Sequence, residues 1–172
     1  MNEDKLIPYG VLFAKQWFEE QGITYIRSFD QRYVVGNKDG LSYKIVVIPR
    51  DHKPGKSKQQ GDPYESVMID HKDYGDKTNS FFHKGDQNYI VLSRTYREGD
   101  RYFPEQAYYV LVSDEVVQAE FAKRVPKNIN SKKTCNIGFK DKQLSKWRSI
   151  GVRYYRMNLE LTSGKIYEGL EK

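Results

Sequence analysis

Asp70 and Lys72 stand two residues apart at the end of a short apolar run, SVMIDHKDY over 66–74. Read as a strand over 64–72, this stretch alternates its side chains between two faces. Tyr64, Ser66, Met68, Asp70 and Lys72 then share one face, and Glu65, Val67, Ile69 and His71 the other. A carboxylate and an ammonium projecting together can hold a divalent cation and steady an attacking water or a phosphate oxygen. An ordinary polar strand end with an adjacent ion pair has the same appearance. Mg2+ is usually bound through one or two carboxylates plus phosphate and water, so Asp70 needs a second acid. Asp51, just past the strand expected over 41–49, is the preferred partner; Asp39 and Glu65 are placed less well.

Other chemistry has less to stand on. His52, His71 and His83 are scattered, without the spacing of a zinc site. No glycine-rich phosphate loop and no Gly-x-Ser-x-Gly elbow occurs, and Cys135 is the single cysteine, so no internal disulfide forms.

The net charge is +6, and its placement matters more than its size. Residues 123–156 hold eleven Lys and Arg against one acid, Asp141, a local +10, while the rest of the chain sums to −4. Such a block suits a polyanion, and the residues expected to meet one are Lys132, Lys133, Lys140, Lys142, Lys146, Arg148, Arg153 and Arg156. Phe139, Trp147, Tyr154 and Tyr155 interleave it and could stack on bases, although Trp147 also suits a core. Arg153 and Arg156 fall on opposite faces of any strand that carries both.

The elements that would position these groups follow from pattern. Pro8 and Gly22 bracket a helix over 8–21, with Phe13/Trp17 and Ala14/Phe18 four apart. Extended chain is expected over 23–35, a turn over 36–40, a strong strand over 41–49, and a polar loop over 51–63. Strands at 88–96 and 107–113 make a long hairpin, and Ser113 or Asp114 caps a helix over 115–124. A polar connector over 126–136, a short helix over 139–151 and strands at 152–161 and 165–170 complete the chain. The expected class is α+β: a mixed, mostly antiparallel central sheet flanked by the N-terminal helix and one or two further helices. Residues 1–172 read as a single domain, with a core over about 9–113 and a basic C-terminal part over about 123–172.

An N-terminal helix, two strands and an apolar strand ending in acid-x-Lys resembles the PD-(D/E)XK nuclease superfamily. The paired stretches GLSYKIVVIP and SVMIDHK look like a variant of its paired motif strands, and the resemblance covers about 9–95. It implies a metal-dependent endonuclease of restriction or repair type. Asp70 would be a metal-binding acid and Lys72 the catalytic lysine, with Mg2+ as cofactor and DNA, rather than RNA, as substrate. Lys44 stands at the position of the family's first aspartate, and a lysine cannot ligate a cation. Two alternatives therefore stay open: a non-catalytic DNA- or RNA-binding module, and a protein-interaction or inhibitor domain without a nucleic-acid role. Symmetric cutting of a duplex would call for a homodimer.

The opening residues MNEDKLIPYG are polar and acidic rather than leader-like, and no apolar run approaches a membrane span of about 20 residues. A soluble, cytoplasmic protein with no membrane partner is the expectation.

Overall fold

The first helix, α1 (Glu3–Glu20), ends where the sequence places a glycine. Gly22 has a φ of 75°, which few other residues adopt cheaply. Its amide donates to the Glu19 carbonyl at 3.0 Å and that of Ile23 to the Phe18 carbonyl at 3.0 Å, the paired bonds of a Schellman end. The helix begins earlier than Pro8, which lies inside it. Leu6 and Ile7 are both buried, so an extra turn is held on the sheet although Pro8 brings no amide to it. The computed structural model describes residues 3–50, 66–98, 101–123, 133–138, 141–158 and 166–168.

The extended stretch after α1 divides into β1 (Thr24–Phe29) and β2 (Tyr33–Lys38). Asp39 and Gly40 both take positive φ and form the two-residue hairpin into β3 (Leu41–Pro49). β4 (Ser66–Asp70) is followed directly by α2 (His71–Thr78). β5 (Gln87–Glu98) and β6 (Arg101–Ser113) form the expected long hairpin, and Ser113 caps α3 (Asp114–Ala122). Then come β7 (Thr134–Gly138), α4 (Asp141–Ser149), β8 (Arg153–Asn158) and β9 (Ile166–Glu168).

The class is α+β, with a central seven-stranded sheet ordered β1-β2-β3-β5-β6-β8-β9. Every pairing in it is antiparallel except β3 with β5, which run parallel from Tyr43↔Gln87 to Pro49↔Ser93. β4 pairs with β7 in a separate two-stranded sheet. The 126–136 connector thus ends in a strand, because Cys135 and Ile137 alternate inward onto Ile69 and Val67. α1 packs on one face through Phe13, Ala14 and Phe18 against Val34, Ile45, Val47 and Val91. The other face carries the small sheet and the remaining helices: Tyr74, Val117, Phe121 and Trp147 meet Val46, Ile48, Ile90, Leu92 and Val112. Covered on both sides, the second half of β3, Ile45–Pro49, reads as an unbroken apolar run rather than an alternating one.

Arg50 fastens the crossing between β3 and β5. Its amide donates to the Ser93 carbonyl at 2.7 Å. Its guanidinium donates to the carbonyls of Met68 (2.8 Å) and Pro49 (3.0 Å) and to the Asp73 carboxylate (2.6 Å). Lys77, one turn along α2, reaches the other oxygen of Asp73 at 2.5 Å. Partial burial pushes the Asp73 carboxyl up, but the hydrogen bonds and charges of Lys77 and Arg50 outweigh it and hold the group below its ordinary range.

A depressed carboxyl adds stability that is complete above its ordinary value of 3.8 and is lost as pH falls through the lower folded value. Asp73→Asn is expected to cost about 1 kcal/mol at neutral pH, the partly exposed group being screened by solvent. Urea midpoints should separate the variant from the parent at pH 7 and draw together as pH falls below 3.8; a constant gap would contradict the ion-pair account.

Candidate functional site

Asp70 is the last residue of β4, and there the chain stops being a strand. Its backbone is extended (φ −86°, ψ 130°), and its side chain accepts from the amide of Asp73 at 3.0 Å. That is an N-cap, satisfying one of the amides a helix start leaves without partners. Lys72 belongs to the first turn of α2 and is exposed. The expectation that Asp70 and Lys72 share one strand face is therefore corrected, since strand alternation does not continue past the cap. The expected pairing of 41–49 with 64–72 is corrected too: β3 lies between β2 and β5, while β4 pairs with β7. The missed signal was Asp70-x-x-Asp73, an acid three residues ahead of another acid at a helix start.

The carboxylates around this point have protein partners. Asp73 is held by Arg50 and Lys77, and Asp51 and Glu65 lie outside the described residues. Among the described residues no three His, Cys, Asp or Glu side chains gather to hold a metal ion. Asp70 and Asp73 thus do not fit Mg2+ as a pair: one caps a helix and the other already faces two cations.

Lys44, expected from the nuclease resemblance to stand in place of an acid, is buried and ion-paired. Its Nζ lies 2.8 Å from Asp86, donates to the Phe81 carbonyl at 2.7 Å and sits 5.2 Å from the Phe81 ring centre. It is a structural ammonium that closes the loop between α2 and β5 onto β3.

The described residues of the basic block are spread over several elements. Lys133 sits before β7, its carbonyl accepting from the His71 amide at the start of α2. Lys142 lies in α4, and Lys132 and Lys140 lie outside the described residues. Lys146 and Arg148 are exposed in the last turn of α4, resting over the rings of Trp147 (5.3 Å) and Tyr154 (5.4 Å). That helix ends as α1 does. Gly151 has a φ of 99°, with the amides of Gly151 and Val152 donating to the carbonyls of Arg148 and Trp147. The turn delivers Arg153, exposed, at the start of β8. Arg156 is half-buried on the opposite face from Arg153, as alternation requires.

Of the aromatics in the block, Phe139 lies outside the described residues, and Trp147 and Tyr154 are core residues rather than stacking platforms. Burial pushes the Tyr154 hydroxyl well up despite the nearby Arg148, and it donates to the Gly138 carbonyl at 2.7 Å.

Tyr155 points the other way, toward α1, where its hydroxyl accepts from Trp17 Nε1 at 3.2 Å. It borders a hollow of about 470 Å³, lined also by Gln21, Tyr89, Leu111, Ser113, Gly151 and Arg153. The sheet register makes the floor: Tyr89 faces Ser113 across β5–β6, and Leu111 faces Arg153 across β6–β8. The end of α1 makes one wall, with Trp17 edge-on to Tyr89 at 5.5 Å between ring centres. Burial, then Tyr43 and Glu115, push the Tyr89 hydroxyl up, so it stays protonated at neutral pH. Trp17 and Tyr89 escaped the sequence reading because each alone looks like packing. A second hollow, about 530 Å³, adjoins it through Tyr89 and Ser113 and is lined by Asp86, Asp114 and Glu115. Asp114 there accepts from the Tyr74 hydroxyl.

No helix among the described residues is long and apolar enough to cross a membrane. Comparison with family models, curated proteins and solved structures finds no match to this chain.

Asp70→Ala is expected to lose about 1 kcal/mol of stability through the lost cap, while Lys72→Ala, on an exposed helical position, stays within about 0.5 kcal/mol of the parent. Chemical denaturation of the two variants checks this. Equal losses would contradict the assignment of Asp70 as a cap.

Proposed function

We propose that this chain is a nucleic-acid-binding module that binds through the junction of α4 and β8 and does not cut what it binds. The observation that carries the reading is the set of exposed cations Lys146, Arg148 and Arg153 next to a hollow walled by Trp17, Tyr89 and Tyr155. Cations recruit phosphates and release their counterions, and aromatic rings accept bases without demanding a sequence. The local +10 over 123–156 supplies the long-range attraction, set within a chain otherwise slightly acidic.

Endonuclease chemistry has weaker support, since Asp70 serves α2 and Lys72 belongs to a different element. A purely protein-directed role, with the positive patch docking an acidic partner, leaves the aromatic hollow unused.

Fluorescence anisotropy with labelled single-stranded and duplex DNA and RNA, across a salt series and with Mg2+ or Mn2+ present, tests the reading. Affinity should fall linearly on logarithmic axes, with a slope of about −0.7 to −0.9 per phosphate neutralised. The Lys146→Glu/Arg148→Glu double variant should bind at least about tenfold more weakly, two phosphate contacts having become repulsive. Absence of salt-dependent binding would overturn the proposal. Metal-dependent cleavage that Asp70→Ala abolishes would overturn it in favour of the nuclease.

A further inference from the structure

The hollow beside α1 differs from a generic surface groove in having aromatic walls, a polar rim and a cation at its mouth. Its volume of about 470 Å³ falls within the roughly 300–1,000 Å³ of small-ligand sites. Trp17 packs edge-on against Tyr89 at its side, and a third ring, Tyr155, is tied to Trp17 by its bond to the indole N–H. Gln21 and Ser113 bring an amide and a hydroxyl to the rim, and such groups match the donor and acceptor edge of a base.

We propose, resting on the nucleic-acid reading above, that this hollow takes one unpaired base of a single-stranded nucleic acid. The base stacks on Tyr89, whose ring Trp17 buttresses edge-on, and its phosphate lies at Arg153.

A duplex is excluded by shape. A base still stacked between its neighbours presents only its edge, whereas a ring must leave the stack to lie on Tyr89. Charge sets the direction of the strand. Asp114 and Glu115 line the neighbouring hollow against one cation, Lys84, with Asp86 paired to Lys44, so that side is the more acidic of the two. Gly151 leads instead back to Arg148 and Lys146 in α4. The strand therefore runs from the hollow past Arg153 toward α4. Both ends of the site are held by Schellman turns, at Gly22 after α1 and at Gly151 after α4, so the walls are set before any ligand arrives.

The test is a titration of the full chain with a short single-stranded oligonucleotide, following anisotropy and tryptophan emission together. Trp147 is buried in the core, so quenching on binding reports Trp17. Tyr89→Leu keeps apolar bulk but removes the stacking ring, and should weaken binding about tenfold. Arg153→Gln should weaken it several-fold and flatten the salt slope by about 0.7. Because Arg153 is exposed, this second variant reads the same site if Tyr89→Leu does not fold. A duplex of the same sequence should leave tryptophan emission unchanged.

Single-strand binding that Lys146→Glu/Arg148→Glu weakens, but Tyr89→Leu and Arg153→Gln leave intact, would overturn the base site and leave nucleic-acid binding standing. Binding to no nucleic acid at all would overturn both.

Discussion

The parallel pairing of β3 with β5 is the constraint on which the rest depends. Two parallel neighbours cannot be joined by a tight turn, so the chain must leave the sheet, cross a face and return. The crossing comprises β4 and α2, and Arg50 is its fastening, contacting the end of β3, the Met68 carbonyl of β4, the Asp73 carboxylate of α2 and the Ser93 carbonyl of β5. The contact to β5 is made by the backbone amide. A planar guanidinium with several fixed donors suits the rest, because one side chain ties β4 and α2 to the end of β3. The crossing also covers the second face of the sheet, and this is why β3 is apolar from Ile45 to Pro49. Asp70 is then a cap by necessity, since it stands where the crossing changes from strand to helix.

The same arrangement separates the acids from the cations. Asp73, Asp86 and Asp114 are taken up by Arg50 and Lys77, by Lys44 and by Tyr74. Among the described cations, Lys44 and Arg50 are largely buried within the fold, and Lys146, Arg148 and Arg153 are exposed around the α4–β8 junction. A like-signed exposed group beside an aromatic hollow is an arrangement that folding alone does not require.

Much of the scaffold was legible in the sequence because its signals are local. Gly22 and Gly151 mark helix ends, Ser113 caps α3, and the apolar run over 41–49 and the paired runs before and after 100 read as strands. The exceptions have physical causes. HKDYGDKT is rich in charge and contains a glycine, so α2 lacks an apolar stripe; its cap, the Asp73–Lys77 pair and the burial of Tyr74 sustain it. β7 is five residues in a polar setting and exists because β4 offers a partner. The role of Lys44 depends on Asp86, more than forty residues away, and no spacing rule reaches that far. The hollow is less legible still: Trp17, Tyr89 and Arg153 belong to three separate elements, brought together by sheet register and the packing of α1 on the sheet.

Two places thus compete for the functional role: the Asp70–Lys72 corner suggested by the residue pattern, and the Trp17–Tyr89–Arg153 end suggested by the folded chain. Backbone and indole amide NMR shifts, recorded while a single-stranded oligonucleotide is titrated into the full chain, distinguish them residue by residue. The account predicts that perturbations centre on the Trp17 indole, Tyr89, Gly151 and Arg153 and leave 70–73 unmoved. Perturbations centred on 70–73, with the α1–β8 end silent, would contradict it.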